Sequence, residues 1–161
     1  MSLYLDLKMI YDYWGPSHRY HHTTPINMFY ALREALRICK LETLDARYAR
    51  HQLNHRAFVA GIEALGMRMH VAAENRLWTL HTPVLPQGVD DAVLRKRLLN
   101  EYGIEVLGGF GPLAGKILRV GLMGASSRRA YVLLLLQALE TCLGASGGVR
   151  AAEAVYERAS D

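Results

Sequence analysis

The chain has little cysteine: Cys39 and Cys142 are the only two in 161 residues. Two are too few for a disulfide framework, and they point to a reducing compartment. Long apolar runs are missing as well. The longest, residues 131–136, ends at Gln137, far short of the roughly 18 to 20 residues of a membrane span. Residues 1–10 carry Asp6 and Lys8, so the uninterrupted apolar stretch of a secretory signal is absent. The last residues are not a peroxisomal SKL address. A soluble, intracellular and most simply cytoplasmic protein, with no membrane partner, is the expectation. Charge excess is small: 19 Lys+Arg against 15 Asp+Glu leave +4, and the basic residues are scattered. A nucleic-acid footprint needs them clustered, so no nucleic-acid partner is expected. Several chemical signatures are also lacking. Gly115-Lys116 is followed by Ile117, so there is no Walker A motif, and the glycines at 108–111 lead to a strand, unlike a dinucleotide fingerprint. His51 and His55 stand at helical i,i+4 spacing but have no third ligand, and no metal is expected.

What remains is an ordinary globular mixture, 51% hydrophobic and 21% charged, at a length suited to one domain. Its beginning is unusual. Tyr4, Tyr11, Tyr13, Trp14 and Tyr20 crowd together with Met9 and Ile10, whereas chain ends are normally polar and frayed. Either a helix folds back on this domain, or the chain is cut from something larger. Thr24 and Pro25 then signal a helix start. Met28, Leu32, Ala35, Leu36 and Cys39 predict a helix over 25–40. A second helix is expected from about Leu44 to Leu65, stopped by Gly66.

The pattern then turns to period two. Met67, Met69 and Val71 alternate with Arg68 and His70, a strand signal. Residues 79–85 form a second strand candidate, bent or at an edge because of Pro83. Asp90 caps a short helix carrying Leu94, Leu98 and Tyr102, stopped by Gly103. Strands are expected at 104–106 and 117–123. A last long helix opens at Ser126 or Ser127 and runs to about Leu143. A tail over 144–161 follows, weakly helical from Ala151. The fold class is α+β: a small, mainly antiparallel sheet with helices on one face, preceded by two long helices, because the connections are too short for parallel crossovers.

Arg119 is the most informative residue. It interrupts an apolar run, Ile117-Leu118-Arg119-Val120-Gly121-Leu122-Met123, and arginine is almost never buried without a partner. Two readings stand: a structural pair with an internal Asp or Glu, or a bidentate clamp for a ligand carboxylate. Gly108, Gly109, Gly111 and Gly115 lie near it, either as a permissive turn or as a bare approach for substrate. Residues 19–25, Arg-Tyr-His-His-Thr-Thr-Pro, lead into a helix N-terminus, where free N–H groups favour an anion. They are a capping segment or a phosphate site.

Five stretches together carry a resemblance. They are Tyr4-Leu5-Asp6-Leu7-Lys8, Arg19-Tyr20-His21-His22-Thr23, Leu32-Arg33-Glu34, residues 104–112 (IEVLGGFGP) and residues 115–124 (GKILRVGLMG). In order and spacing they resemble the C-terminal part of alanine–glyoxylate (serine–pyruvate) aminotransferases, class V pyridoxal-phosphate enzymes of fold type I. The resemblance covers about residues 3–143. It implies that residues 1–42 are the tail end of a large cofactor domain and 43–143 a small C-terminal domain. It implies transfer of an amino group from alanine or serine to glyoxylate or pyruvate, in a homodimer, with pyridoxal 5′-phosphate as cofactor and small amino and oxo acids as ligands. Arg119 matches the residue gripping the substrate carboxylate. Tyr20 and Thr23 match the pair that holds the cofactor phosphate of the neighbouring subunit. Gly108, Gly109 and Gly111 match the substrate-entrance loop. The family's Schiff-base lysine sits in an SGSQK-like motif, and none of Lys8, Lys40, Lys96 and Lys116 stands in one. The chain by itself is therefore expected to be inactive, with no catalytic residue of its own. A non-catalytic interaction module derived from the family is the alternative. Trp78, where the family prefers proline, and Arg128-Arg129-Ala130-Tyr131 depart from the pattern.

Overall fold

The computed structural model describes residues 2–159. The chain divides into two compact units, the first ending at Thr43 and the second beginning at Leu44.

The first unit holds helix α1 (Leu7–Trp14) and helix α2 (Ile26–Glu42). Asp6 caps α1, its Oδ1 accepting from the Lys8 and Met9 amides, as suits a short oxygen-bearing side chain at that position. The aromatic residues pack on one another. The Tyr13 ring lies 5.3 Å from Trp14, 6.0 Å from Tyr20 and 5.3 Å from His22. No residue between 2 and 43 is buried; Leu7 is 80% exposed. The helix expected over 25–40 forms, with two corrections. Thr24 does not cap it, and Pro25 stands outside it as the N-cap residue. The Pro25 carbonyl accepts from the Met28 and Phe29 amides. Thr43 then leaves the helix at φ +67°, a left-handed conformation costly for a β-branched residue.

The second unit runs α3 (Leu44–Ala64), β1 (Arg68–Met69), β2 (Leu80–His81), β3 (Pro83–Val84), α4 (Asp91–Tyr102), β4 (Leu107–Gly108), β5 (Leu118–Gly121), α5 (Arg129–Leu143) and α6 (Gly148–Glu157). All strand pairings are antiparallel, as expected: β1 with β3, β2 with β5 and β4 with β5. Bridging of Val84 to Ile117 links the two small sheets. Residues 79–85 behave as one strand with a gap. Leu122 donates to Thr79 and Leu85 donates to Lys116 across the β5 side. Pro83 falls in the same odd-numbered set and has no N–H to give, so the ladder breaks there. Of the two alternatives expected, an edge position is excluded, because β1 lies on the other side of Pro83.

β5 alternates, with Leu118 and Val120 buried and Gly121 exposed. Leu118 and Val120 join Phe58, Ile62, Leu98, Val132, Leu136 and Leu139 in one core, which puts the helices against that face. Arg119 projects from the other. Asp90 caps α4 through Val93, and Gly103 ends it at φ +67°. The strand expected at 104–106 starts later, at Leu107. The Ile104 amide is drawn back to the Leu98 carbonyl, so the chain is still closing the helix where the apolar pattern suggested a ladder. Neither Ser126 nor Ser127 caps α5. That position is Arg128, without a side-chain cap, because Ser127 is buried and accepts a bond from Asn54 at 3.0 Å. Residues 148–157 form a full helix that buries Ala152, Val155 and Tyr156.

Candidate functional site

In the first unit the segment before α2 brings together two predicted residues. The Tyr20 hydroxyl and Thr23 Oγ1 are 2.9 Å apart. Beside them His21 Nδ1 and His22 Nδ1 meet at 2.7 Å, and His21 Nε2 lies 2.8 Å from the Leu3 carbonyl. Only the His22 or the His21 ring can donate across the shared contact, so the two tautomers are coupled. The two hydroxyls are oriented toward one another ahead of a helix end that no side chain caps, which is a donor set suited to a phosphate. A phosphate group would find hydroxyl and amide donors of fitting chemistry here.

In the second unit Arg119 stands on β5, directly opposite Leu107 of β4. Its Nε donates to the Gly108 carbonyl at 2.7 Å. The Phe110 ring centroid lies 5.1 Å from its Cζ. Among the described residues no carboxylate pairs with it, and its hydrogen bond goes to a backbone carbonyl instead. Asp91, whose carboxylate packs on Gly108, is held by Arg95 at 2.9 and 3.2 Å. The glycines here have internal reasons. A Cβ on Gly108 would come within 2.5 Å of Asp91 Oδ2, and one on Gly109 within 2.0 Å of the Leu113 carbonyl oxygen. At Gly109 the reason is close backbone approach within the β4–β5 loop; at Gly108 it is the Asp91 side chain of α4, which Arg95 holds in place.

The histidines at i,i+4 spacing go separate ways. His51 Nδ1 lies 2.7 Å from the Arg47 carbonyl, and its Nε2 accepts the Gly124 amide at 3.0 Å. That arrangement requires the proton on Nδ1. His55 Nδ1 instead meets His81 Nε2 at 2.9 Å, the rings stacked with centroids 5.0 Å apart. Among the described residues no three His, Cys, Asp or Glu side chains gather as metal ligands. Burial pushes His81 down to about 4, helped by the neighbouring His55. His55 is lowered too, by burial and then by Arg76. Trp78 walls a cavity of about 670 Å³ with Arg47, His51 and Arg76.

Sequence reasoning missed three features. Phe110 was one residue in a glycine loop, with nothing to tie it to Arg119. The His55–His81 pair joins a helix to a strand 26 residues away. Asn54 links Ser127 to the Tyr156 hydroxyl, which donates to Asn54 Oδ1 at 2.7 Å. A buried asparagine in the apolar line of α3 was the available signal for that network.

No protein-family model matches the chain. Among relatives, the (S)-ureidoglycine–glyoxylate transaminase of Bacillus subtilis is 40% identical over 165 residues, covering 98% of this chain and 40% of that protein. The crystal structure of the Bacillus subtilis ureidoglycine–glyoxylate aminotransferase superposes with a TM-score of 0.89. An alanine–glyoxylate aminotransferase structure from Nostoc sp. is 49% identical over 88% of the chain and 38% of its own, with a TM-score of 0.82. A pyridoxamine–pyruvate aminotransferase structure from Mesorhizobium loti is 27% identical over 96% of the chain and 41% of its own, at 0.85. The chain thus spans about 40% of the length of the relatives it matches. The agreement in sequence and in fold places it in a single family: this chain belongs to the class V aminotransferases, of which it represents a C-terminal portion.

Proposed function

We propose that this chain supplies the substrate-carboxylate grip and part of the cofactor-phosphate grip of an aminotransferase that moves an amino group from alanine or serine to glyoxylate or pyruvate. The observation that carries the reading is Arg119, set on the open face of the sheet with Nε tied to Gly108 and no carboxylate partner among the described residues. A guanidinium so placed offers two parallel N–H donors to a carboxylate. Tyr20 and Thr23 donate to the phosphate of pyridoxal 5′-phosphate, across a homodimer interface, together with the α2 N-terminus. The cofactor, when bound, supplies the electron sink for amino transfer. Gly108, Gly109 and Gly111 form a tight hairpin at the substrate entrance. Residues 1–42 belong to the large domain, 43–143 to the small one and 144–161 to its C-terminal extension. None of the four lysines stands in the family's SGSQK-like motif, so the chain by itself does not turn over substrate.

One experiment tests this. The chain is assayed with pyridoxal phosphate, alanine and glyoxylate, alone and joined to the lysine-bearing segment of a family member. The joined protein is expected to be active and the chain alone to be inactive. Arg119→Lys in the joined protein is expected to lower kcat/KM about 10- to 100-fold for every amino acid tried, the worth of about 1.5–3 kcal/mol for a charged hydrogen bond. A loss confined to one substrate would mean that Arg119 reads a side chain. Turnover by the chain alone would refute the inactivity. An inactive joined protein would favour the non-catalytic module.

A further inference from the structure

Phe110 is a large aromatic residue, 73% exposed, at the tip of the β4–β5 hairpin. Burial gives it no reason to be there. Among the described residues its ring makes one specific contact, with the guanidinium of Arg119, whose Cζ lies 5.1 Å from the ring centroid. The backbone directs the ring to that spot. On one side Gly109 lies so close to the Leu113 carbonyl that any Cβ would collide at 2.0 Å. On the other side Gly111 adopts φ +56°, where other residues are strained. Two glycines thus set the direction in which residue 110 projects.

The guanidinium is consequently held in two ways. The Gly108 carbonyl takes Nε at 2.7 Å, and the aromatic face covers the planar group. Nη1 and Nη2 keep no partner among the described residues. A carboxylate that approaches can use only the end of the fork, because the edge formed by Nε is occupied. We infer that Phe110 is a positioning residue for carboxylate recognition: its ring fixes the plane of Arg119 so that Nη1 and Nη2 present an end-on pair of donors to a small oxo acid. This rests on the proposed role of Arg119 and adds to it a residue and a binding geometry. A point contact to Gly108 alone would leave the guanidinium free to rotate about the Nε bond direction, and preorganisation lowers the entropy cost of binding.

The test uses the 161-residue chain, nitrogen-labelled, with pyruvate as the probe and acetone as its uncharged control. Arginine Nε–Hε resonances report on Arg119, identified by the signal lost in Arg119→Lys. Phe110→Leu, Phe110→Ala and Phe110→Tyr are compared. Since Phe110 packs in no core, all three should keep the wild-type amide spectrum elsewhere, which also checks folding. The Leu and Ala variants are expected to exchange the Arg119 ε-proton faster and to bind pyruvate two- to fivefold more weakly, the range of an exposed cation–π contact. The Tyr variant, which keeps the aromatic face, should stay within twofold of wild type. An apolar packing role would let leucine substitute, so a wild-type-like Phe110→Leu overturns the inference while leaving Arg119 as the carboxylate site. If pyruvate binding survives Arg119→Lys, or the wild-type chain gives no saturable response to pyruvate, the Arg119 reading itself falls and takes this one with it.

Discussion

At the scale of single residues, the buried histidine pair contributes to how stability depends on pH. His81 is 1% exposed, and among the described residues its Nδ1 lacks a partner of full hydrogen-bond geometry, the Val120 backbone favouring its charged form only weakly against burial. Burial holds its pKa near 4 in the folded chain, against roughly 6.5 for an unperturbed histidine. Between those values the unfolded chain binds a proton that the folded chain does not, so stability rises with pH across that window. The contribution is complete above about pH 6.5 and is lost progressively as pH falls toward 4, on the order of 3 kcal/mol over the whole range. Urea denaturation of the wild type at steps from pH 7 to pH 4 should show this slope. His81→Gln keeps a group that can meet His55 but cannot titrate, so its slope should be flatter by about one proton. An unchanged slope would assign the acid sensitivity to other groups. Nothing in the sequence marked His81: it occupies a period-two core position where an apolar residue is the simpler choice. Arg119 was legible for the complementary reason, as a charge in a run otherwise apolar on both faces.

At the scale of elements, the helix layer depends on a close crossing of α3 with α5 and α6. A Cβ on Gly61 would lie 2.4 Å from Leu136 Cδ1 and 3.0 Å from the Gly148 carbonyl oxygen. Leu136 is fully buried and cannot swing aside, and the other obstacle is backbone. Gly61→Ala gains up to about 1 kcal/mol in helix propensity, yet it forces the helices apart, at a typical overpacking cost of about 1–3 kcal/mol. A net loss of stability is expected, measured as a lower urea midpoint; an equal or higher midpoint would show that α6 can yield. Within these elements, legibility followed the reach of the physical signal. The ends of α3 and α4 were readable because Asp90, Gly66 and Gly103 act on amides and torsions a few residues away. The start of α5 was misread because Ser127 spends its hydroxyl on Asn54, 73 residues earlier. β4 was misplaced because a helix-closing bond from Ile104 to Leu98 overrode the apolar pattern. α6 was underrated because its Ala and Val spacing is weak until Tyr156 finds Asn54.

At the scale of the whole molecule, the exposed first unit fits a chain that works only in assembly. Residues 2–43 include Leu3, Tyr4, Leu7, Trp14, Tyr20, Phe29 and Leu36 with half or more of each accessible. Apolar surface of that extent marks an interaction face, and in the proposed homodimer Tyr20 and Thr23 serve the partner's cofactor phosphate. The trans arrangement can be separated from a cis one by complementation in the joined protein that carries the family's lysine. One subunit lacks that lysine; the other carries Tyr20→Phe with Thr23→Val. Each homodimer is weak, the first for want of the lysine and the second for want of phosphate donors. In the mixed dimer with trans donation, the site with an intact lysine receives intact Tyr20 and Thr23 from the lysine-minus subunit. The other site of the mixed dimer carries both defects together. Activity after subunit exchange should therefore rise above both parents, toward half of the wild-type value per dimer. With cis donation the intact-lysine site keeps its own defective donors, and the mixture only averages its parents. Mixed dimers that form, as shown by mass spectrometry, without that rise would place both residues at their own subunit's site.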